Sequence, residues 1–232
     1  IRKRDMNRTV LVTGATRGIG RETVKQLCEQ GFTVFATGRD QQLLEELKTE
    51  TGCLGEPCEL ADPEATVALY AQARAALGRV DVLINNAGLN PGRLPLTDVP
   101  VEQLDLSYAV NLRAPFLLSR EALKEMGERK SGHILNVAST IARTSAPNYS
   151  TYCSLKYAAH GFTQCLIKEA QQVSVKVTGV YPGGTDTDFR AEDRPDYLKA
   201  ESAAKMIVDC ISAPEDVVVH ELVYRPIIET NF

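Results

Sequence analysis

The stretch that decides the fold is Thr9–Gly20, T-V-L-V-T-G-A-T-R-G-I-G, in which an apolar, β-branched run passes directly into a glycine-rich segment. The first five residues are typical of a buried strand, and apolar residues at helical spacing predict a helix over 18–30. Glycines at a strand-to-helix turn let a pyrophosphate approach the backbone, where free N–H groups stabilise its charge. Because the spacing is G-x-x-x-G-x-G rather than G-x-G-x-x-G, the segment alone could also be an ordinary glycine-rich turn.

Strands and helices alternate along the rest of the chain. The apolar runs predict strands over 9–13, 32–37, 56–60, 80–84, 133–138, 175–180 and 217–224. Helices are predicted over 18–30, 40–48, from 62 onward, 101–127, 150–170 and 199–211, with Asp40 and Asp62 as N-caps and Gly31 as a C′ glycine. Nearly continuous apolar strands between helices are typical of a parallel sheet covered on both faces. We therefore expect an α/β protein, a doubly wound parallel sheet of about seven strands with helices on both faces (Rossmann fold).

Composition limits the classes of partner. With 232 residues, 44% hydrophobic and 24% charged, we expect one domain over 8–232 of an ordinary globular protein. Residues 1–7 are expected to be disordered or introduced during cloning, since Met6 resembles a natural start. A net charge of -4 gives no footprint for nucleic acid. No apolar run approaches the roughly 18 residues of a membrane helix, so no membrane partner is expected.

The cysteines and histidines do not indicate a metal site. The six cysteines form no C-x-x-C pair, and the three histidines have no ligand partners at metal spacing. The apolar run behind the basic start is too short for a signal peptide, so we expect reduced thiols and a cytoplasmic protein. A disulfide between Cys53 and Cys58 is the less favoured alternative.

Residues that follow the strands are the candidates for a ligand site, because doubly wound sheets bind ligands beyond the carboxyl ends of their strands. After the second strand, Arg39 stands where dinucleotide-binding folds usually present an acid to the ribose. A guanidinium there suits a 2′-phosphate, and Arg17 could supply a second, so NADP(H) is favoured over NAD. The alternative is that Arg39 is a solvated residue paired with Asp40 or Glu45.

Further motifs follow in order along the chain. They are N-N-A-G at 85–88, Ser139, Tyr152 with Lys156 four positions later, and P-G-G-T-D-T at 182–187. Tyr152 and Lys156 share one face if their segment is helical, although such a pair is common by itself. Together with the glycine-rich segment, these motifs resemble the short-chain dehydrogenase/reductase family over nearly the whole chain, from about Thr9 to Phe232.

The resemblance implies roles for individual residues. Ser139 would position a substrate carbonyl, Tyr152 would donate the proton, and Lys156 would bind the nicotinamide ribose and lower the tyrosine pKa. Asn111 would hold a helix open for a proton-relay water. The implied NADP(H)-binding residues are Gly14, Thr16, Arg17, Gly18, Ile19, Gly20, Arg39, Glu59, Leu60, Asn86, Ala87, Gly88, Tyr152, Lys156, Pro182, Gly183, Thr185 and Thr187. Glu59 departs from the family, which commonly has Asp there beside adenine.

The implied activity is the reversible, NADPH-dependent reduction of a small-molecule carbonyl to an alcohol, without a metal. Alternatives are a 3-oxoacyl-carrier-protein reductase, a serine or 3-hydroxy acid dehydrogenase, and an NADP-sensing regulator that has lost the chemistry. A homodimer or homotetramer is expected through the helices near 101–127 and 151–170. A substrate carboxylate or phosphate could meet Arg93, Arg143, Arg190 or Arg194, but we favour solvated lid charges paired with Asp186, Glu192 or Asp193.

Overall fold

The computed structural model describes residues 8–187, 189 and 194–229. The predictions for residues 1–7, and those involving Arg190, Glu192 and Asp193, fall outside these residues.

A parallel sheet forms the centre of the molecule. The described strands are β1 Thr9–Thr13, β2 Thr33–Thr37, β3 Leu54–Gly55, β4 Val82–Asn85, β5 His133–Val137, β6 Lys176–Pro182, β7 Thr185–Asp186, β8 Leu198–Lys199 and β9 Glu221–Tyr224. The main sheet has seven strands in the order β3-β2-β1-β4-β5-β6-β9, and every pair is parallel. The short strands β7 and β8 pair only with each other.

Helices connect the strands of this sheet. They are α1 Gly18–Glu29, α2 Gln41–Thr51, α3 Pro63–Leu77, α4 Val101–Tyr108, α5 Ala114–Glu128, α6 Ser150–Gln171 and α7 Ala200–Ile211. A π turn, Ala109–Arg113, joins α4 to α5, and 3₁₀ turns lie at Leu96–Asp98 and Thr140–Arg143.

Successive side chains of β1 point to opposite faces of the sheet and join the core on each face. Val10 and Val12 pack with α1, α2 and α7 on one face, whereas Leu11 packs with α3, α5 and α6 on the other. All three side chains are fully buried. The predicted fold class, a doubly wound parallel sheet covered by helices on both faces, is confirmed.

Local chemistry begins α2 and α3 and ends α1 at the predicted residues, whereas α2 continues to Thr51, past its predicted end at 48. The Asp40 side chain accepts from the Leu43 N–H at 3.1 Å, and Asp62 accepts from Glu64 N–H at 2.8 Å. Gly31 follows α1 with φ 85°, a conformation that glycine adopts without steric cost.

Three further predicted elements differ from the structure. The strand predicted over 56–60 is wrong: pairing is limited to β3, because Pro57 has no N–H to donate to a ladder. The last strand is shorter than predicted, because carbonyls before it accept from side chains instead, as Val219 O does from Thr178 Oγ1 at 2.6 Å. The helix predicted over 101–127 is interrupted by the π turn.

Candidate active site

A cleft of about 420 Å³ opens at the carboxyl ends of the strands. This edge collects the residues that follow β1, β2, β4, β5 and β6, as expected for parallel strands. Of the residues predicted to form the site, all except Asn111 line the cleft. These are Gly14, Thr16, Arg17, Gly18, Ile19, Gly20, Arg39, Glu59, Leu60, Asn86, Ala87, Gly88, Ser139, Tyr152, Lys156, Pro182, Gly183, Thr185 and Thr187.

The glycine-rich turn is packed too tightly for side chains. Gly14 has φ 63°, and a Cβ on it would lie 2.7 Å from Ala87 Cα. A Cβ on Gly20 would lie 2.1 Å from Gly14 O. Asn86 fixes the turn from the neighbouring strand, since its Nδ2 donates to Thr13 O at 3.0 Å and Gly14 O at 3.1 Å. The N-N-A-G motif therefore holds the cradle in shape.

Two arginines lie at the end of the cleft beside β2. Arg17 forms an ion pair with Asp40 at 3.2 Å, and Glu45 pairs with Lys48 at 2.8 Å. Arg39 is exposed and forms no ion pair with any described residue. The alternative in which Asp40 or Glu45 neutralises Arg39 is therefore not what the structure shows.

The residues that follow β3 form one wall of the cleft at the end beside β2. Glu59 Oε1 accepts from Ala61 N–H at 2.9 Å, so its carboxylate closes a local turn. Leu60 is buried beside it and offers an apolar surface to the cleft.

Tyr152 and Lys156 lie one turn apart on α6, as predicted. They are 7% and 4% exposed, and Lys156 Nζ lies 5.6 Å from the centroid of the Tyr152 ring. Nζ donates to Val137 O at 3.4 Å. Burial lowers the pKa of Lys156 to about 8. Within the described residues no carboxylate offsets this ammonium, so the cleft contains a desolvated cation.

Asn111 lies in the π turn, behind the lining of the cleft. Its Nδ2 donates to Ser107 O at 3.0 Å and to Leu89 O at 2.9 Å, while its Oδ1 accepts from Leu89 N–H at 3.2 Å. Gly88 touches both this side chain and Lys156: a Cβ on it would lie 3.4 Å from Asn111 Oδ1 and 3.6 Å from Lys156 Nζ.

Ser139 begins the 3₁₀ turn that follows β5. Its Oγ accepts from Ile141 N–H at 3.3 Å and donates to Pro182 O at 3.5 Å. Both bonds are long and thus weak, so the hydroxyl can exchange them for a ligand.

The residues after β6 enclose the cleft. Gly183 N–H donates to Tyr224 O at 2.7 Å, and Gly184 N–H donates to Glu229 Oε1 at 2.8 Å. The loop then returns to the glycine-rich turn, where a Cβ on Gly18 would lie 3.1 Å from Thr187 Cγ2.

Some lining residues were not predicted. They are Gly38, Cys58, Leu89, Asn90, Val110, Val137, Ala138 and Phe189. Most adjoin a predicted motif, as Asn90 follows N-N-A-G. Phe189 has no such signal, because it lies in a charged segment, yet its ring centroid is 6.1 Å from that of Tyr152.

One of the arginines predicted to pair with a lid acid has a different partner. Arg143 forms an ion pair with Glu221 instead of with a lid acid. Asp186 accepts from the backbone N–H of Arg194 at 2.9 Å.

The described residues contain no cluster of His, Cys, Asp and Glu side chains that could hold a metal ion. All six cysteines lie in the described ranges and are free thiols, including Cys53 and Cys58. Every described helix is too short or too polar to cross a bilayer.

Comparison with known proteins places this site in context. The family model described as short chain dehydrogenase matches residues 8–198. An uncharacterized oxidoreductase of Staphylococcus epidermidis is 31% identical over 231 residues, 95% of this chain and 97% of that protein. The closed form of serine dehydrogenase complexed with NADP+ has a TM-score of 0.89 and 27% identity over 96% of each chain. The 3-ketoacyl-(acyl-carrier-protein) reductase of Brucella melitensis, complexed with NADH, has a TM-score of 0.85 and 25% identity over 94% of this chain and 97% of that chain. The chain therefore belongs to the short-chain dehydrogenase family of oxidoreductases.

Proposed function

We propose that this chain is an NADP(H)-dependent oxidoreductase that reduces a carbonyl to an alcohol and catalyses the reverse oxidation. The observation that carries the proposal is the buried pair of Tyr152 and Lys156, which opens into the same cleft as the glycine cradle. A protein that only bound a nucleotide would have no use for a phenol beside a desolvated ammonium. The uncharacterized oxidoreductase and the serine dehydrogenase compared above support this class of reaction.

The residues of the cleft fit a dinucleotide. The turn brings Gly14, Gly18 and Gly20 into the lining at the start of α1, where the N-cap side chain accepts no hydrogen bond, so a pyrophosphate can accept from the first N–H groups of the helix. One structural relative was solved with NADP+ and another with NADH, so the fold accepts either cofactor. The choice then depends on Arg39 after β2, whose guanidinium has no ion-pair partner in the described part of the chain and suits the 2′-phosphate of NADP(H).

The cofactor, when bound, exchanges a hydride with the substrate carbon. Ser139 Oγ donates a hydrogen bond that orients the carbonyl oxygen, and the Tyr152 hydroxyl gives that oxygen its proton. In the oxidation the Tyr152 phenolate takes the proton from the alcohol. Asn111 keeps the backbone open at the π turn, where water can return a proton through Lys156 to the tyrosine.

The charge of Lys156 is what makes the phenolate accessible. Shifting a tyrosine from its usual pKa near ~10 to ~7 requires roughly 4 kcal/mol. One ammonium at ~4 Å supplies about 4 kcal/mol at an effective dielectric of ~20. Burial opposes both charges, as the lowered pKa of Lys156 shows. The lysine is therefore sufficient only when the positive nicotinamide ring of oxidised cofactor is also present.

A panel of ketones, aldehydes and 3-oxo esters, assayed by the loss of NADPH absorbance, tests the proposal. We expect turnover with at least one member of the panel. Tight NADPH binding without turnover of any member would instead favour a cofactor-sensing regulator.

The similarity to serine dehydrogenase favours a second candidate, oxidation of serine or a 3-hydroxy acid. Formation of NADPH from NADP+ with these substrates would identify it. The reductase from Brucella melitensis makes a 3-oxoacyl thioester the third substrate class to assay.

A further inference from the structure

An arginine follows the cleft-lining residue Asn90 by three positions, just outside the lining itself. Arg93 is exposed, and its Cζ lies 5.0 Å from the centroid of the Tyr149 ring. Tyr149 packs against Tyr152, with ring centroids 5.2 Å apart. The ring of Tyr149 therefore contacts both the guanidinium of Arg93 and the ring of the proposed acid.

Hydrogen bonds fix the backbone on both sides of Arg93. The Asn90 amide donates through Nδ2 to the Tyr149 hydroxyl at 2.7 Å and accepts through Oδ1 from Gly92 N–H at 3.2 Å. Leu94 N–H donates to Asn148 O at 2.9 Å. Asn90 also lines the cleft. The position of Arg93 relative to the cleft is thus set by the segment that leads into α6.

The charge of Arg93 has no partner within the described residues. No described carboxylate forms an ion pair with it, whereas Arg143 pairs with Glu221 and stacks on Tyr181 at 4.8 Å. Arg17, at the opposite end of the cleft, pairs with Asp40. A guanidinium that stacks on a ring keeps its N–H groups free at the edge, where they can bind a carboxylate through two parallel hydrogen bonds.

We propose that Arg93 binds a carboxylate of the substrate, so that the preferred substrates are oxo acids and the corresponding hydroxy acids. The carbonyl would meet Tyr152 while the carboxylate extends past Tyr149 to Arg93. This inference rests on the proposed function and adds a substrate class to it.

The test compares acids with their uncharged counterparts. Levulinate and its two longer homologues, each paired with its methyl ester, are assayed for kcat/KM at saturating NADPH. We expect the parent protein to prefer at least one acid over its ester by about tenfold, the scale of a partly solvated two-point ion pair. Arg93→Met should bring that ratio to about one, and Arg93→Lys should retain part of it because the charge remains without the planar fork.

Arg143→Met is the matched control, because it removes a nearby stacked arginine whose charge is already paired; its acid-to-ester ratio should equal that of the parent. Equal ratios in the parent and Arg93→Met overturn the inference. If no ketone is reduced at all, the proposed activity fails, and calorimetric titration of the same acids into the NADP+-bound proteins decides the anion site separately. Weaker binding to Arg93→Met than to the parent supports the site, whereas equal affinities, or no binding to either protein, overturn it.

Discussion

No carboxylate of the described residues offsets the buried ammonium of Lys156, and burial lowers its pKa from 10.5 to about 8. The unfolded chain therefore binds the proton more tightly than the folded chain between these two pH values. In that window the free energy of unfolding rises with pH, and below about 8 the folded protein bears the full cost of the charge.

Lys156→Met removes this cost, which amounts to about 3 kcal/mol. Urea unfolding of the parent and of Lys156→Met at steps from pH 7 to pH 10.5 checks it. We expect the stability of the parent relative to the variant to increase as the pH rises through the window. A constant difference across the series would show that Lys156 titrates normally.

A single side chain, the guanidinium of Arg39, is proposed to select NADP(H) over NAD(H). Arg39→Ala should weaken NADPH binding by about tenfold or more and leave NADH binding almost unchanged, because only NADPH carries the 2′-phosphate. Fluorescence titration with each cofactor measures the two Kd values. Arg74→Ala is the control: this arginine is similarly exposed but lies beside Glu125, outside the cleft lining. An equal loss for both cofactors in Arg39→Ala would remove the case for phosphate recognition.

At the scale of elements, the contact between the glycine-rich turn and α1 leaves no room for a methyl group. A Cβ on Gly20 would meet backbone at 2.1 Å, whereas a Cβ on Gly161, also in a helix, would meet nothing within 4 Å. Gly20→Ala should destabilise the protein by about 1–3 kcal/mol, as overpacking does, and should abolish cofactor binding. Gly161→Ala should stabilise it by up to about 1 kcal/mol through helix propensity. Thermal unfolding of both variants, with and without NADPH, measures these effects. Similar changes in Tm for Gly20→Ala and Gly161→Ala would refute the packing argument.

The elements that sequence could predict are those with local chemical signals. Asp40 and Asp62 begin helices because their carboxylates accept from N–H groups only two or three residues later. The π turn has no local signal of this kind, because Asn111 bonds to Leu89 across a loop; only the family resemblance led us to expect a helix held open at Asn111. The edge strand β3 was placed too late although a local signal was present, since Pro57 lies inside the predicted range and has no N–H to donate to a ladder.

The same limit applies to the site. The family resemblance, carried by motifs that follow strands ending at one edge of the sheet, predicted most of the lining around Tyr152. The proximity of Phe189 and the stacking of Arg93 on Tyr149 depend on how loops return to that edge. Neither contact has a sequence spacing from which it could be predicted.

At the scale of the whole molecule, apolar side chains remain exposed on the helices of one face. Tyr108 on α4, Phe116 on α5 and Tyr157 on α6 are each more than 40% exposed. We propose that this face joins copies of the chain in a homodimer or homotetramer, because α4 and α5 each contact α6 and all three helices carry a large exposed apolar side chain that association would bury.

Light scattering after gel filtration measures the assembly directly. The parent should have the mass of a dimer or tetramer, and the double substitution Phe116→Glu and Tyr157→Glu should reduce it. Met206→Glu, which places a charge at an exposed apolar residue on α7, is the control for charge alone. An unchanged mass in the double variant would place the interface elsewhere.

The account depends most on the phenol of Tyr152 as the proton donor. The most direct test measures turnover and the NADPH Kd of Tyr152→Phe beside Tyr157→Phe, which removes an exposed hydroxyl from the same helix. The account predicts that Tyr152→Phe loses turnover by about 10²–10⁴-fold while its Kd stays within about twofold of the parent, and that Tyr157→Phe keeps both. Near-normal turnover of Tyr152→Phe would contradict it.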